Sequence, residues 1–257
     1  MINLKKWKDY LESTDYCKKT KDSYYEALVA FSKSYKTMNA KNFKAFKTEI
    51  IETYAVQTVN LRILALNKYC KFICHPEWTL KGLKGNKRTF LDNVITQADY
   101  SYLCKMLKKD DLELYFLVRF IGCTGARKSE ALKFKAEDVK LGYMDIIGKG
   151  GKLRRIYIPK SLQKEALNYK DSGLLFDISY NKLLKKLKEY AIKYKLDPKV
   201  IHPHSFRHFF ALSFIEKFQD LALLADLLGH SNIETTRIYL RRTSAQQASI
   251  VNKVVTW

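Results

Sequence analysis

Residues 81–88, Lys-Gly-Leu-Lys-Gly-Asn-Lys-Arg, constrain this chain more than any other segment. The run is basic and glycine-bearing and follows a break at His75-Pro76, so it reads as a linker that splits the chain in two. A chain of 257 residues has room for two modest domains, each with its own core: residues 1–82, a linker at 83–94, and residues 95–257. The first domain reads as helices over Lys18 to Phe31, Lys41 to Tyr54 and Thr58 to Ile73, the last with Val59, Leu61, Leu66 and Phe72 among its apolar positions. In the second, Leu141 to Ile147 and Leu153 to Ile158 read as strands. The turn between them is Gly148-Lys149-Gly150-Gly151-Lys152. The expected class is mainly α with a small β-hairpin.

Charge points to the partner. The chain carries 47 Lys and Arg against 26 Asp and Glu, a formal charge of +21, and should attract polyanions. Residues 1–95 hold 18 of the basic and 9 of the acidic side chains, and residues 96–257 hold 29 and 17. Both halves favour DNA, which suggests a clamp closing around a duplex. An acidic membrane would attract the chain too. No apolar run approaches a spanning helix, however, and Met1-Ile-Asn-Leu-Lys-Lys-Trp7 lacks the apolar core of a signal peptide. The expected location is the cytoplasm, on the nucleoid if the source is prokaryotic. Cys17, Cys70, Cys74, Cys104 and Cys123 are odd in number and lie mostly in helix-like segments, which argues for reduced thiols and no disulfide framework.

The chemistry-bearing residues are concentrated downstream. His204-Ser-Phe-Arg207, Leu228-Gly-His230 and Tyr239 follow in order, with Thr124-Gly-Ala-Arg127-Lys-Ser-Glu130 upstream. A guanidinium is always charged and its planar fork matches two phosphate oxygens, so a pair of arginines can neutralise charge that builds up on a phosphorane-like transition state. A phenol has a reference pKa of about 10 and needs neighbouring positive charge to lower it, which a cationic phosphate pocket is expected to supply. Attack by tyrosine leaves a protein–phosphate ester that conserves the bond for religation. Pro203 suits a first helical turn, and His204 and Arg207 at i and i+3 then share a face near free backbone N–H groups. Phe206, Phe210 and Phe214 give that helix an apolar stripe. Leu221, Leu224 and Leu228 trace another helix that Gly229 can end, and Ser231 with Glu234 has capping-box spacing for a short helix carrying Tyr239.

At these residues the chain resembles the tyrosine recombinase (phage integrase) family, and most closely its short Xer-like members. The matching signatures are Thr-Gly-Ala-Arg-Lys-Ser-Glu-Ala-Leu, Gly-Lys-Gly-Gly-Lys, Pro-His-Ser-Phe-Arg-His, Leu-Leu-Gly-His-Ser and Thr-Thr-Arg-Ile-Tyr, spread over residues 124–239 in the family's order. The resemblance implies a helical, SAM-like core-binding domain followed by an α+β catalytic domain. It implies that Arg127 and Arg207 clamp the scissile phosphate, that His204 and His230 provide hydrogen bonds and support proton transfer, and that Tyr239 is the nucleophile. Glu130 matches an acid that braces the site. Lys149 holds the position of a hairpin lysine that acts as general acid toward the leaving 5′ oxygen, with Lys152 close enough to exchange roles with it. The implied reaction needs no metal, nucleotide or other cofactor. The implied partners are double-stranded DNA and further copies of the chain, as a tetramer on DNA assembled from free monomers. A tail at Thr243 to Trp257, with Ala248, Val251, Val254 and Val255 on one face, would dock on a neighbouring subunit or pack within its own chain. No arm-type DNA-binding domain is expected ahead of residue 1.

Other readings stay open at this point. A type IB topoisomerase-like enzyme would share the chemistry, and a vestigial DNA-binding protein would share the fold. His202-Pro-His204 has the look of a metal-binding pair without a third ligand at suitable spacing, Cys70-x3-Cys74-His75 reads as a helix face and turn, and His208 reads as structural. The segment Tyr180 to Lys195 is a lysine-rich helix. The family places its equivalent in the major groove, which makes Lys182, Lys185 and Lys186 candidate DNA contacts, to phosphate more than to bases.

Overall fold

The computed structural model describes residues 2–85, 94–147, 153–230, 232–240 and 252. The chain forms two compact units, residues 1–87 and 88–257.

Unit 1 contains α1 (Leu4–Glu12), α2 (Lys18–Ser34), α3 (Ala40–Thr53) and α4 (Val56–Phe72). α1 lies outside the helices expected from the sequence. Asn3 caps it by accepting from the Lys6 N–H, and it delivers Trp7 and Leu11 to the core. Trp7 meets Tyr69 edge-on with ring centroids 5.0 Å apart, while Phe31 stacks on Phe43 at 4.6 Å. All four rings are buried. On α4 the buried set is Val59, Ile63, Leu66, Tyr69 and Cys70, spaced for one helical face, which leaves Leu61 exposed on the opposite side. Asn60 and Asn67, two turns apart on α4, each accept a backbone N–H and donate to a carbonyl at Leu83 and Leu80. Their amides act as a strand edge would. They pin residues 80–83 along the helix, so Leu83, expected to begin the linker, belongs to the packed unit.

Unit 2 is built around α6 (Leu112–Thr124), whose residues are apolar on nearly every side and buried accordingly. α5 (Gln97–Asp110) and α11 (Pro203–Phe218) pack against it. Between them in sequence come α7 (Lys128–Ala131), α8 (Ala136–Leu141), the hairpin β1 (Tyr143–Ile147) and β2 (Leu153–Tyr157), α9 (Lys160–Tyr169) and α10 (Tyr180–Lys193). Leu141, expected as the first strand residue, instead ends α8, because Gly142 turns the chain at φ 82° before β1 starts. The strands pair antiparallel with Met144 opposite Ile156 and Ile146 opposite Arg154. By the period of two, Arg154 shares the inward face with Met144 and Ile156. The turn 148–152 lies outside the described residues.

α12 (Leu221–Leu228) ends at Gly229 with φ 63°, as expected. Two 3₁₀ turns, Ile233–Thr235 and Arg237–Leu240, follow it, and the cap of the first is Asn232, accepting from the Glu234 N–H. Ser231, the expected cap, lies outside the described residues. The expected apolar stripe of α11 is divided between two clusters: Phe206 enters the main core, while Phe210 and Phe214 cover a smaller one that contains Leu224, Leu228 and Tyr239.

Phe31→Ala tests the first core. It removes a fully buried ring that meets Tyr35, Phe43 and Phe46, and is expected to cost about 3–5 kcal/mol. Urea unfolding measures the loss; a change below about 1 kcal/mol would mean that these rings do not form the packed centre.

Candidate active site

Three arginines converge on the end of one helix. Helix C-termini leave their last carbonyls without intrahelical partners, at the negative end of the helix dipole. At α12 three successive carbonyls are each taken by a different guanidinium. Leu227 O accepts from Arg154 Nε at 2.9 Å, Leu228 O from Arg207 Nη2 at 2.7 Å, and Gly229 O from Arg127 Nη2 at 2.8 Å.

Local sequence explains how each arginine arrives there. α6 stops at Gly125, which has φ 66° and no space for a Cβ, since one would lie 2.5 Å from Phe210 Cδ1. The freed Gly125 carbonyl accepts from Arg207 Nη1 at 2.8 Å. Two residues on, Arg127 caps α7. Its backbone N–H donates to Glu130 Oε2 at 2.6 Å and its Nη1 to Oε1 at 2.9 Å. Arg154 Nη1 reaches both oxygens of the same carboxylate from β2, at 3.0 and 2.9 Å. Burial pushes the Glu130 carboxyl up, but the Arg127 N–H, Arg154 and the Arg127 guanidinium outweigh it and hold it below its ordinary value. Gly229 is confined as well, because a Cβ there would sit 2.5 Å from Arg154 Cδ.

α11 supplies the other wall. His202 is its cap, with Nδ1 accepting from the Ser205 N–H at 3.1 Å. Among the described residues no group of three His, Cys, Asp or Glu side chains is arranged to hold a metal. Arg207 is 3% exposed, and desolvation, followed by repulsion from Arg127 and Arg154, lowers its pKa to about 10. It remains charged at neutral pH. Its Nη2 also lies 3.0 Å from His230 Nε2, and His230 Nδ1 lies 2.8 Å from Thr236 Oγ1. A guanidinium cannot accept, so Nε2 accepts and the proton of the neutral ring sits on Nδ1, donated to the threonine. Burial first, then Arg207, pushes His230 down to about 4. His204 is exposed at the rim, and partial desolvation with the Arg207 charge lowers it too.

Tyr239, on the last 3₁₀ turn, is 6% exposed, and its Oη lies 2.7 Å from His208 Nδ1. Its pKa is raised to about 12, because burial outweighs the opposing pull of Arg207. That reverses the expectation that the cationic pocket would make the phenol more acidic. Arg127, His204, Arg207, His230 and Tyr239 thus line one cleft, of about 740 Å³, together with Lys128, whose Nζ stands 3.7 Å over the Tyr180 ring. Lys149 and Lys152 lie outside the described residues.

On α10, Lys182 and Lys185 are exposed. Lys186, expected with them as a DNA contact, is half-buried and pairs with Asp111 Oδ2 at 2.6 Å, the N-cap carboxylate of α6. The sequence reading missed Arg154 as a brace and His208 as a partner of the phenol. Both had signals, the first in strand alternation and the second in its i+4 spacing from His204.

The profile of the phage integrase family matches residues 93–246, more than half of the chain. The chain belongs to the phage integrase family. It is 30% identical to the tyrosine recombinase XerA of Pyrococcus furiosus, over 97% of this chain and 93% of that protein. It is 24% identical to the TnP I resolvase of Bacillus thuringiensis, over 97% and 98% of the two chains. Among solved structures, the XerH recombinase bound to its difH substrate superposes with a TM-score of 0.68 at 22% identity, covering 90% of this chain and 78% of that one. The Tn1549 transposon integrase in complex with transposon right end DNA gives 0.70 at 14% identity, covering 100% of both chains. The fold is that of the tyrosine recombinases, mainly helical with a small antiparallel hairpin. This family member is an enzyme, a site-specific recombinase that cleaves and rejoins DNA, and the topoisomerase-like and vestigial readings are not favoured.

The neutral histidines give a pH test. His208 and His230 stand near 4 in the folded recombinase against 6.5 for the free ring. Between those values the unfolded chain takes up protons that the native site refuses. Stability is therefore full above about pH 6.5 and is lost as pH falls toward 4. Thermal melting from pH 7.5 to 4.5 should show the decline, and His230→Asn should flatten part of it. Equal slopes in parent and variant would contradict the burial of a neutral His230.

Proposed function

We propose that Tyr239 is the nucleophile of this recombinase, that Arg127 and Arg207 clamp the scissile phosphate, and that His204 and His230 complete the hydrogen bonding to its oxygens. The supporting observation is the carbonyl anchoring of the guanidiniums. Held from behind by Gly125, Leu228 and Gly229, they do not reorganise when an anion enters, and preorganised charge of this kind is where most catalytic stabilisation arises. Glu130 braces Arg127 without touching the phosphate. Lys149 is the general acid for the 5′ oxygen, and Lys152 is its alternative.

In this reading unit 1 is the core-binding domain and unit 2 the catalytic domain. Lys182 and Lys185 on α10 meet DNA phosphates. Lys186 contributes there only by giving up Asp111. The free protein is a monomer in the cytoplasm, and a tetramer assembles on paired half-sites, where the tail beyond residue 243 docks on its neighbour.

Two measurements test the chemistry. Tyr239→Phe removes only the hydroxyl, so half-site binding should persist while the covalent 3′-phosphotyrosyl adduct on nicked suicide DNA falls below detection. Peptide mapping of the parent adduct to another tyrosine would overturn the assignment. Cleavage should also be unchanged by EDTA, since the clamp supplies the positive charge. A loss that magnesium restores would instead indicate metal-assisted hydrolysis or transfer.

A further inference from the structure

We propose that His208 is the general base of the reaction, receiving the Tyr239 proton as the phenol attacks and returning it on religation. The inference rests on Tyr239 being the nucleophile. It extends that reading to a residue outside the expected set.

Geometry carries it. A phenol whose pKa stands near 12 does not attack as a preformed phenolate at neutral pH, so its proton must leave as the new bond forms. The base has to lie within hydrogen-bond reach of Oη. Among the described residues the partner at that distance is His208 Nδ1, at 2.7 Å. His204 sits at the exposed rim, one helical turn before His208, and its ring meets the His208 ring edge-on at 4.5 Å rather than meeting the phenol. His230 is committed through both nitrogens, to Arg207 and to Thr236.

The surroundings keep His208 in its accepting form. It is faced by His202, His204 and Arg207 from the start of α11, by His230 from the turn after α12, and by Tyr239. Burial, and then His204, Arg207, His202 and His230, lower its pKa to about 4, so the ring is neutral at pH 7. With the ring proton on Nε2, Nδ1 accepts the phenol O–H. In the resting site that proton stays on oxygen, because the phenol is far the weaker acid. Two changes move it. Entry of an anionic phosphodiester offsets the cations that depress the imidazole, and bonding of Oη to phosphorus removes the basicity of the phenol oxygen.

The step balances. The Oη–H bond breaks, its proton goes to Nδ1, and an Oη electron pair forms the bond to phosphorus. The bond between phosphorus and the 5′ oxygen breaks, and that oxygen leaves with the bonding pair and takes a proton from the general acid, the role proposed for Lys149. Religation reverses each transfer, and the His208 imidazolium then protonates the departing phenolate.

The test is single-turnover cleavage of nicked suicide DNA by the parent, H208N and H208A, from pH 6.5 to 8.5, with adducts mapped by peptide. Asparagine can accept the phenol hydrogen bond but takes no proton. It therefore separates holding from base catalysis, and it carries the test should H208A melt or fail to bind a half-site. Both variants should still form the adduct at Tyr239, about 100-fold more slowly or worse at pH 7. Their rates should climb about tenfold per pH unit as hydroxide substitutes, while the parent stays nearly flat. Added imidazole should speed H208A and leave the parent unchanged. A variant within about threefold of the parent rate, with its adduct at Tyr239, would overturn the role of His208 and leave the nucleophile standing. So would a loss that neither alkaline pH nor imidazole relieves. A parent adduct on a different tyrosine would overturn both.

Discussion

A guanidinium keeps its charge at neutral pH even where burial lowers its pKa, so burying one obliges the fold to surround it with acceptors. Arg207, at 3% exposure, is that constraint here. Its acceptors are the Gly125 carbonyl at the end of α6, the Leu228 carbonyl at the end of α12, and Nε2 of His230. Two helices must therefore end beside α11, each with its terminal carbonyls turned toward the same point. The left-handed glycines Gly125 and Gly229 make those endings possible. Arg127 and Arg154 extend the arrangement to the neighbouring carbonyls of α12 and share Glu130 between them.

This backing explains the electrostatic state of the cleft. Backbone carbonyls hold the arginines in place without neutralising them, and among the described residues Glu130 is the carboxylate paired with them. Burial first, and then the neighbouring cations, keep the imidazoles neutral, His208 and His230 both near 4. The phenol responds less than expected, because its own burial outweighs the attraction of Arg207. The result is a cleft charged for an anion and lined by a phenol that is not ionised at neutral pH. Under the proposed mechanism, chemistry then depends on a proton acceptor at the phenol rather than on a depressed phenol pKa.

Much of this is legible in the sequence, for identifiable reasons. Gly229 after a leucine-rich helix, and Pro203 ahead of His204 and Arg207, are local signals whose consequences remain local, and the structure has both. The ion pair of Lys186 is not legible, because its partner, Asp111, stands 75 positions earlier and no pattern within α10 announces it. Arg154 follows the alternation of β2, but a charge on an inward position reads as a solvated residue until the Glu130 carboxylate is placed beneath it. Leu83 reads as linker for a similar reason: what holds it is a side-chain amide of α4, 23 positions away. Leu61 is among the apolar positions of α4 but is exposed, because an apolar side chain does not by itself assign a helical face. In each case the missing information is a long-range partner or a helical phase rather than a residue preference.

The most direct measurement of the central claim is Arg207→Lys, which keeps a positive charge and removes the fork fixed by Gly125 and Leu228. Half-site affinity and single-turnover cleavage should be read on the same preparation, below its melting temperature. If carbonyl-anchored geometry is what stabilises the transition state, affinity should change by less than about threefold while cleavage falls by about 100- to 1,000-fold. Cleavage at the parent rate would contradict it, and would mean that positive charge alone suffices at this position.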